Sequence, residues 1–258
     1  MTDELLLAIE NRVAVITLNR PDKRNALSPQ MIEAFHAYLD QIDADDLARV
    51  VCLRAAGEKA FCAGADLGGG LAGAPDDASS PPRRYAALLG RMAGFGKPIV
   101  AKVGGPCLAG GTGLMLASHI VVARADVYFS LPEVNVGIFP FMVGALLLRN
   151  VLWKKALEMA LTGRKVGAEE AERIGMITSA VAPEDFERHV DGLLGGLSGR
   201  SPVGMRLGLE AFRRLIDMPL EAGLQDLSLT LLKAAKTDDA REGVMAFLEK
   251  RQPNFTGK

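Results

Sequence analysis

The sequence predicts an α/β fold that ends in a purely helical region, and three observations carry the prediction. β-rich runs and helical patterns alternate as strand–strand–helix through the first part of the chain. Two small-residue turns each follow a strand: Ala63-Gly64-Ala65 after Phe61, and Ala109-Gly110-Gly111-Thr112-Gly113 after Ile99–Val103. From Ala168 onward helical spacing dominates. The stretch Gly195-Gly196-Leu197-Ser198-Gly199 marks a boundary, so the chain divides into 1–197 and 198–258.

Taken in order, Leu5–Glu10 and Val13–Asn19 are β-rich runs separated by Asn11-Arg12, a hairpin signal. Arg20–Asn25, RPDKRN, is a polar, basic loop. Ser28-Pro29 reads as an N-cap with proline at the first helical position. Met31, Ile32, Phe35, Leu39 and Ile42 continue that helix at helical spacing. Val50–Leu53 is a short buried strand. Gly68–Pro82 is rich in glycine and proline and reads as a mobile loop at the mouth of a site. Arg83–Phe95 is a helix.

The run Ile99–Val103 is then broken by Gly104-Gly105-Pro106, and Leu114, Met115 and Leu116 belong to a buried helix. Strand, glycine turn and helix N-terminus together aim free backbone N–H groups at a ligand. Glycine lets that ligand touch the backbone. Ile120–Ala123 and Val127–Ser130 are further strands, and Leu131-Pro132-Glu133-Val134 ends that pattern. Helices follow at Gly144–Leu152, Trp153–Leu161, Ala168–Ile174, Glu184–Leu197, Pro202–Ile216, Leu220–Ala235 and Asp238–Lys250.

The 258 residues suit one large domain, or one domain with a small appendage. With 49% hydrophobic residues, a sizeable core can be buried. A net charge of −1 provides no global basic field to draw the chain to nucleic acid or an anionic membrane. Cys52, Cys62 and Cys107 are odd in number and widely spaced, which argues against a disulfide framework and fits a reducing compartment. The N-terminal MTDELLLAIENR lacks the basic region of a secretory signal. Leu114–Ala123 carries His119 and is too short to span a bilayer. The expectation is a soluble, cytoplasmic protein. Gly68, Gly70 and Gly73 match G-x-G-x-x-G, but Ala74-Pro75-Asp76-Asp77 follows instead of a helix. His36, His119 and His189 are isolated and lack metal-ligand spacing, so no metal is expected.

Five segments together resemble the enoyl-CoA hydratase/isomerase (crotonase) family, in order and over nearly the whole chain. They are RPDKRNALS, Lys59–Leu67 (KAFCAGADL), Lys97–Leu114, Leu131–Pro140, and the tail Phe247-Leu248-Glu249-Lys250-Arg251 with Asn254-Phe255. The resemblance implies a crotonase-like spiral of ββα units that binds acyl-CoA over 1–197, and a C-terminal helical trimerisation region over 198–258. It implies an acyl-CoA thioester as substrate, coenzyme A being part of that substrate and not a cofactor. It implies a homotrimer or dimer of trimers as well. The thioester oxygen falls to the backbone N–H groups of Ala65 and Gly110. Ala63, Ala65, Asp66, Leu67 and Gly68 match the CoA-binding segment. Lys23, Arg24 and Ala26, with Arg20, belong to a loop placed near the CoA phosphates. Phe247 and Lys250 match tail positions that contact CoA, in some members from a neighbouring subunit.

The chemistry suits these residue types. Moving a proton next to a thioester builds negative charge on its oxygen, and preorganised backbone donors stabilise that enolate. Many hydratases of the family use two glutamates. The second falls on Glu133, and the first would stand at Gly113. Glycine at 113 is expected to leave extra room for a substrate or another acid. Syn hydration normally needs a positioned water and a proton donor, whereas one carboxylate is enough to shuttle a proton between C2 and C4. Glu133 is the expected acid/base, with its pKa raised by partial desolvation near Phe129, Phe139, Phe141 and Met142. Asp66 is read as a loop-organising residue. Isomerisation and single-glutamate hydration both remain open. So do other reactions on the same scaffold (decarboxylation, thioester hydrolysis, dehalogenation) and an acyl-CoA-binding protein with vestigial catalysis.

Overall fold

The computed structural model describes residues 2–66, 77 and 79–258. Strands β1 (Leu5–Glu10) and β2 (Val13–Leu18) form an antiparallel hairpin. Its turn residues Asn11 and Arg12 both have positive φ, 51° and 68°, as a two-residue turn of the right twist requires. Helix α1 (Pro29–Ala44) opens as expected, with Ser28 Oγ accepting from Met31 N at 3.1 Å. At its other end the buried Lys97 donates Nζ to the carbonyls of Ile42 and Asp45.

Strand β3 (Val50–Ala55) precedes α2 (Pro81–Ala93), β4 (Ile99–Val103), β5 (Cys107–Leu108) and α3 (Gly110–Leu116). Next come β6 (Ile120–Arg124), β7 (Tyr128–Ser130), a 3₁₀ turn over Pro132–Val136, α4 (Phe141–Asn150) and α5 (Trp153–Thr162). Then follow β8 (Val166–Gly167), α6 (Ala168–Arg173), β9 (Ser179–Val181) and α7 (Phe186–Ser198). The chain finishes with α8 (Pro202–Leu215), α9 (Leu220–Ala234) and α10 (Asp238–Leu248).

The strands form two sheets. One has the order β1-β2-β3-β4-β6-β9, parallel except for the hairpin, and the other the order β5-β7-β8. Successive units place one strand in each sheet: β4 then β5, and β6 then β7. This is the spiral of ββα units. The larger sheet is covered on both faces, so its strands read as continuous apolar runs. Alternation divides β3 between the two faces. Val50 and Cys52 pack with Phe186, Val190 and Leu194 of α7, while Val51 and Leu53 face the main core with Phe35, Leu39 and Met92.

The expected elements are present, with ends that agree or differ by at most three residues; α4, for example, starts at Phe141 instead of Gly144. Strands β5, β8 and β9 were not expected. Each has only two or three residues, too few to carry a period. Most of the 68–82 loop lies outside the described residues. Among the described residues, no helix is long and apolar enough to cross a membrane.

Candidate active site

The first wall of the site is the segment 61–66, tied down on both sides. Towards β5, Phe61 N donates to Pro106 O and Leu108 N to Cys62 O, both at 2.9 Å. Towards the loop before α1, Ala63 N donates to Arg24 O at 3.0 Å, Leu27 N to Gly64 O at 2.7 Å, and Asp66 N to Leu27 O at 2.9 Å. Ala65 sits between these last two bonds, and its own N–H has no acceptor among the described residues. Gly64 has φ +98°, and a Cβ there would come within 2.7 Å of Ala109 Cβ and 3.3 Å of Gly110 N. Only glycine permits that conformation and that approach.

The second wall is the start of α3. Ala109, its N-cap, takes φ 48° and ψ −124°, a backbone conformation rare outside glycine. The bond from Ala109 N to Ser130 O (3.0 Å) and those from Thr112 N and Gly113 N to Ala109 O (2.9 and 3.3 Å) hold it there. Thr112, fully buried, adds a bond from Oγ1 to Cys107 O at 3.2 Å. The N–H of Gly110, like that of Ala65, has no acceptor among the described residues. A methyl group built on Gly110 would lie 3.6 Å from Ala65 N, 3.6 Å from Leu27 Cδ1 and 3.5 Å from Tyr85 Oη. These groups therefore surround one small space.

The third wall is the turn carrying Glu133. Leu108 pairs with Ser130 in the parallel β5–β7 ladder, so the end of β7 lies beside Ala109. Glu133 follows three residues later in the 3₁₀ turn, which is closed by Ile138 N donating to Glu133 O at 3.0 Å. Its Oε2 is buried without a hydrogen-bond partner among the described residues. Burial pushes its pKa up, opposed by a hydrogen bond from its own backbone N–H. Its charge is also felt at the Tyr85 hydroxyl. Of the aromatic residues expected around it, Phe129 is fully buried, while Phe139 and Phe141 are exposed, with ring centroids 5.8 Å apart.

Asp66 Oδ2 accepts from Arg20 Nη2 at 2.9 Å, a bond that ties the segment 61–66 to the basic loop. Arg20 also meets Glu4 at 2.9 Å and donates to Ala26 O at 2.7 Å, so its charge is used inside the loop and not held out for a phosphate. Lys23 and Arg24 are exposed on that loop, and Ala26 is half-buried beneath them. Asn25, missed in the sequence, is the loop's anchor. It is buried with φ 55° and donates to Ala56 O and Ala60 O. Leu67 and Gly68 lie outside the described residues. Phe247 is 83% exposed on α10, and among the described residues no hydrogen bond or ion pair joins it or Lys250 to the three walls.

One expectation is overturned. Position 113 does not open into free space, because a Cβ there would overlap the Tyr85 hydroxyl oxygen and lie 3.2 Å from Val143 Cγ2. The sequence places Tyr85 only within the Arg83–Phe95 helix, where it looks like core. Its spacing with Leu88, Leu89 and Met92 fits that reading, and only its polar tip signals more.

The chain as a whole matches the family that its motifs resemble. A family model described as enoyl-CoA hydratase/isomerase matches residues 8–258. The 2,3-dehydroadipyl-CoA hydratase of Escherichia coli is 34% identical over 258 residues, covering 99% of each chain. The crystal structure of an enoyl-CoA hydratase from Mycobacterium smegmatis superposes with a TM-score of 0.92 at 32% identity, covering 98% of this chain and 99% of that one. An enoyl-CoA hydratase from Bacillus anthracis gives a TM-score of 0.92 at 31% identity, covering 99% and 100%. The chain belongs to the enoyl-CoA hydratase/isomerase family, as an acyl-CoA enzyme with the crotonase fold.

Proposed function

We propose that this enzyme isomerises an enoyl-CoA by holding the thioester oxygen between the N–H groups of Ala65 and Gly110 while Glu133 carries the proton. The buried Oε2 of Glu133 carries the reading: it has no hydrogen-bond partner among the described residues, it follows the end of β7 that lies beside Ala109, and the amides of Ala65 and Gly110 have no acceptor among those residues either. Glu133 takes a proton from C2 of a 3-enoyl-CoA. The electron pair moves through the C1–C2 bond onto the thioester oxygen, and the negative charge is shared along the dienolate. Each preorganised amide donor is worth roughly 3–4 kcal/mol of barrier at such an oxyanion. The protonated Glu133 then returns the proton at C4, which leaves a 2-enoyl-CoA. A carboxyl whose pKa is raised by burial is better suited to both halves of that transfer than an exposed one.

Hydration by Glu133 alone is the second reading. It asks one carboxylate both to deprotonate water at C3 and to protonate C2. The Tyr85 hydroxyl lies in the space that a second acid on residue 113 would enter, which favours isomerisation. On the CoA side, exposed Lys23 and Arg24 suit the phosphates, and Phe247 and Lys250 suit contacts supplied by a neighbouring subunit.

Purified enzyme should convert 3-enoyl-CoA to 2-enoyl-CoA faster than it hydrates 2-enoyl-CoA. Glu133→Gln should lower that turnover by about 10²–10⁴-fold while a non-reactive acyl-CoA still binds. Wild-type turnover in Glu133→Gln would overturn the proposal.

A further inference from the structure

The Tyr85 hydroxyl meets two positions of α3 at once. It donates to Gly110 O, and it occupies the volume into which any side chain on residue 113 would project. Only 7% of Tyr85 is exposed, and it belongs to the buried face of α2 together with Leu88, Leu89 and Met92. Val143 of α4 closes the same volume from the other side. Burial pushes the phenol pKa well up, and the nearby Cys62, Cys107 and Glu133 push the same way, so the group stays protonated. Its one hydrogen is committed to the Gly110 carbonyl. Towards the acyl site it therefore offers a neutral lone pair, which can accept a hydrogen bond but cannot take up water's proton.

We propose that Tyr85 is a specificity-determining residue that sets the reaction type: its hydroxyl fills the seat of a second carboxylate with a neutral group and leaves Glu133 as sole proton carrier. This rests on the reading of Glu133 as the acid/base. It deepens that reading by giving the missing carboxylate at 113 a cause elsewhere in the fold. A side chain on residue 113 and the Tyr85 hydroxyl in its present position compete for one volume, and the choice between them decides whether water can be activated opposite Glu133.

The test is a double-mutant cycle of Tyr85→Ala and Gly113→Glu, read as melting temperature and as turnover of both 2-enoyl-CoA and 3-enoyl-CoA. Gly113→Glu alone should lower the melting temperature and improve neither reaction. Adding Tyr85→Ala should recover part of that loss, so that the two shifts are not additive. The double variant should hydrate 2-enoyl-CoA at least about tenfold faster than wild type, as a second positioned carboxylate permits, and isomerise more slowly. Tyr85→Phe with Gly113→Glu removes only the overlapping oxygen and keeps the ring in the core. It should change in the same direction if the alanine variant does not fold. Additive melting shifts would overturn the inference. So would doubles that bind acyl-CoA yet gain no hydration. The melting cycle needs no catalysis, so it separates failure of the Tyr85 seat from failure of the Glu133 reading, which would show as Glu133→Gln equalling wild type on both thioesters.

Discussion

A carboxylate oxygen buried without a partner works against folding, and among the described residues Glu133 Oε2 has none. Burial raises its folded-state pKa above the ordinary value of 4.5. Between those two values the native state holds more protons than the unfolded chain, so stability falls as pH rises through that window. Glu133→Gln removes the penalty. This variant should melt above wild type at neutral pH and lose the advantage below pH 4.5, where the carboxyl is protonated in both states. Thermal scans at the two pH values check this, and a pH-independent difference would contradict it. For the same reason kcat/KM should fall as the pH drops through the raised pKa, because the base must be ionised in the free enzyme. Gly110→Ala tests the other half of the site. Its methyl would meet nothing closer than 3.5 Å, so the fold should hold, yet it would stand over Ala65 N. Turnover should drop by about 10²–10³-fold with little change in melting temperature, since one oxyanion donor is then screened.

At the scale of elements, the site depends on a turn that only a tight framework keeps. Ala109 at φ 48° and ψ −124° is strained by about 1–3 kcal/mol, and its bonds to Ser130 and α3 hold it there. Ala109→Gly should therefore leave the fold as stable or more so, by up to ~2 kcal/mol once glycine's greater unfolded entropy is subtracted. Chemical denaturation measures this, and a clear destabilisation would show that Ala109 Cβ packs better than it strains. The glycines of this turn were legible in the letters as a strand, a turn and a helix N-terminus, but glycine turns are common and only the resemblance gave them a thioester oxygen to hold. Glu133 was legible only through resemblance, since its place beside Gly110 depends on the β5–β7 register. Strand β5, with two residues, left no pattern to read. Tyr85 and Asn25 were not legible as site residues. Tyr85 looks like core in sequence and acquires its role from Gly110 and Gly113, more than twenty positions away. Asn25 looks like one more polar residue of a basic loop, until Ala56 and Ala60 carbonyls meet its amide.

Over the whole molecule, the large sheet and its two covered faces account for the core, but the helices from α8 onward leave much apolar surface outside it. Phe212, Leu220, Leu224, Leu231 and Phe247 are each more than half exposed. Apolar surface on that scale marks an interface. We expect the 27.4 kDa chain to sediment as a trimer or a pair of trimers, with these helices between subunits. Leu224→Glu should shift it towards monomer and weaken acyl-CoA binding, if Phe247 and Lys250 serve a neighbour's site. A monomer with unchanged affinity would place those two residues outside it. The central claim concerns two amides and one thioester oxygen, and the infrared stretch of the thioester carbonyl in a bound, non-reactive acyl-CoA reports on them directly. The stretch should move to lower frequency in the wild-type complex than in water, and most of that shift should vanish in Gly110→Ala. A carbonyl that vibrates in the wild-type site as it does in water would contradict the account.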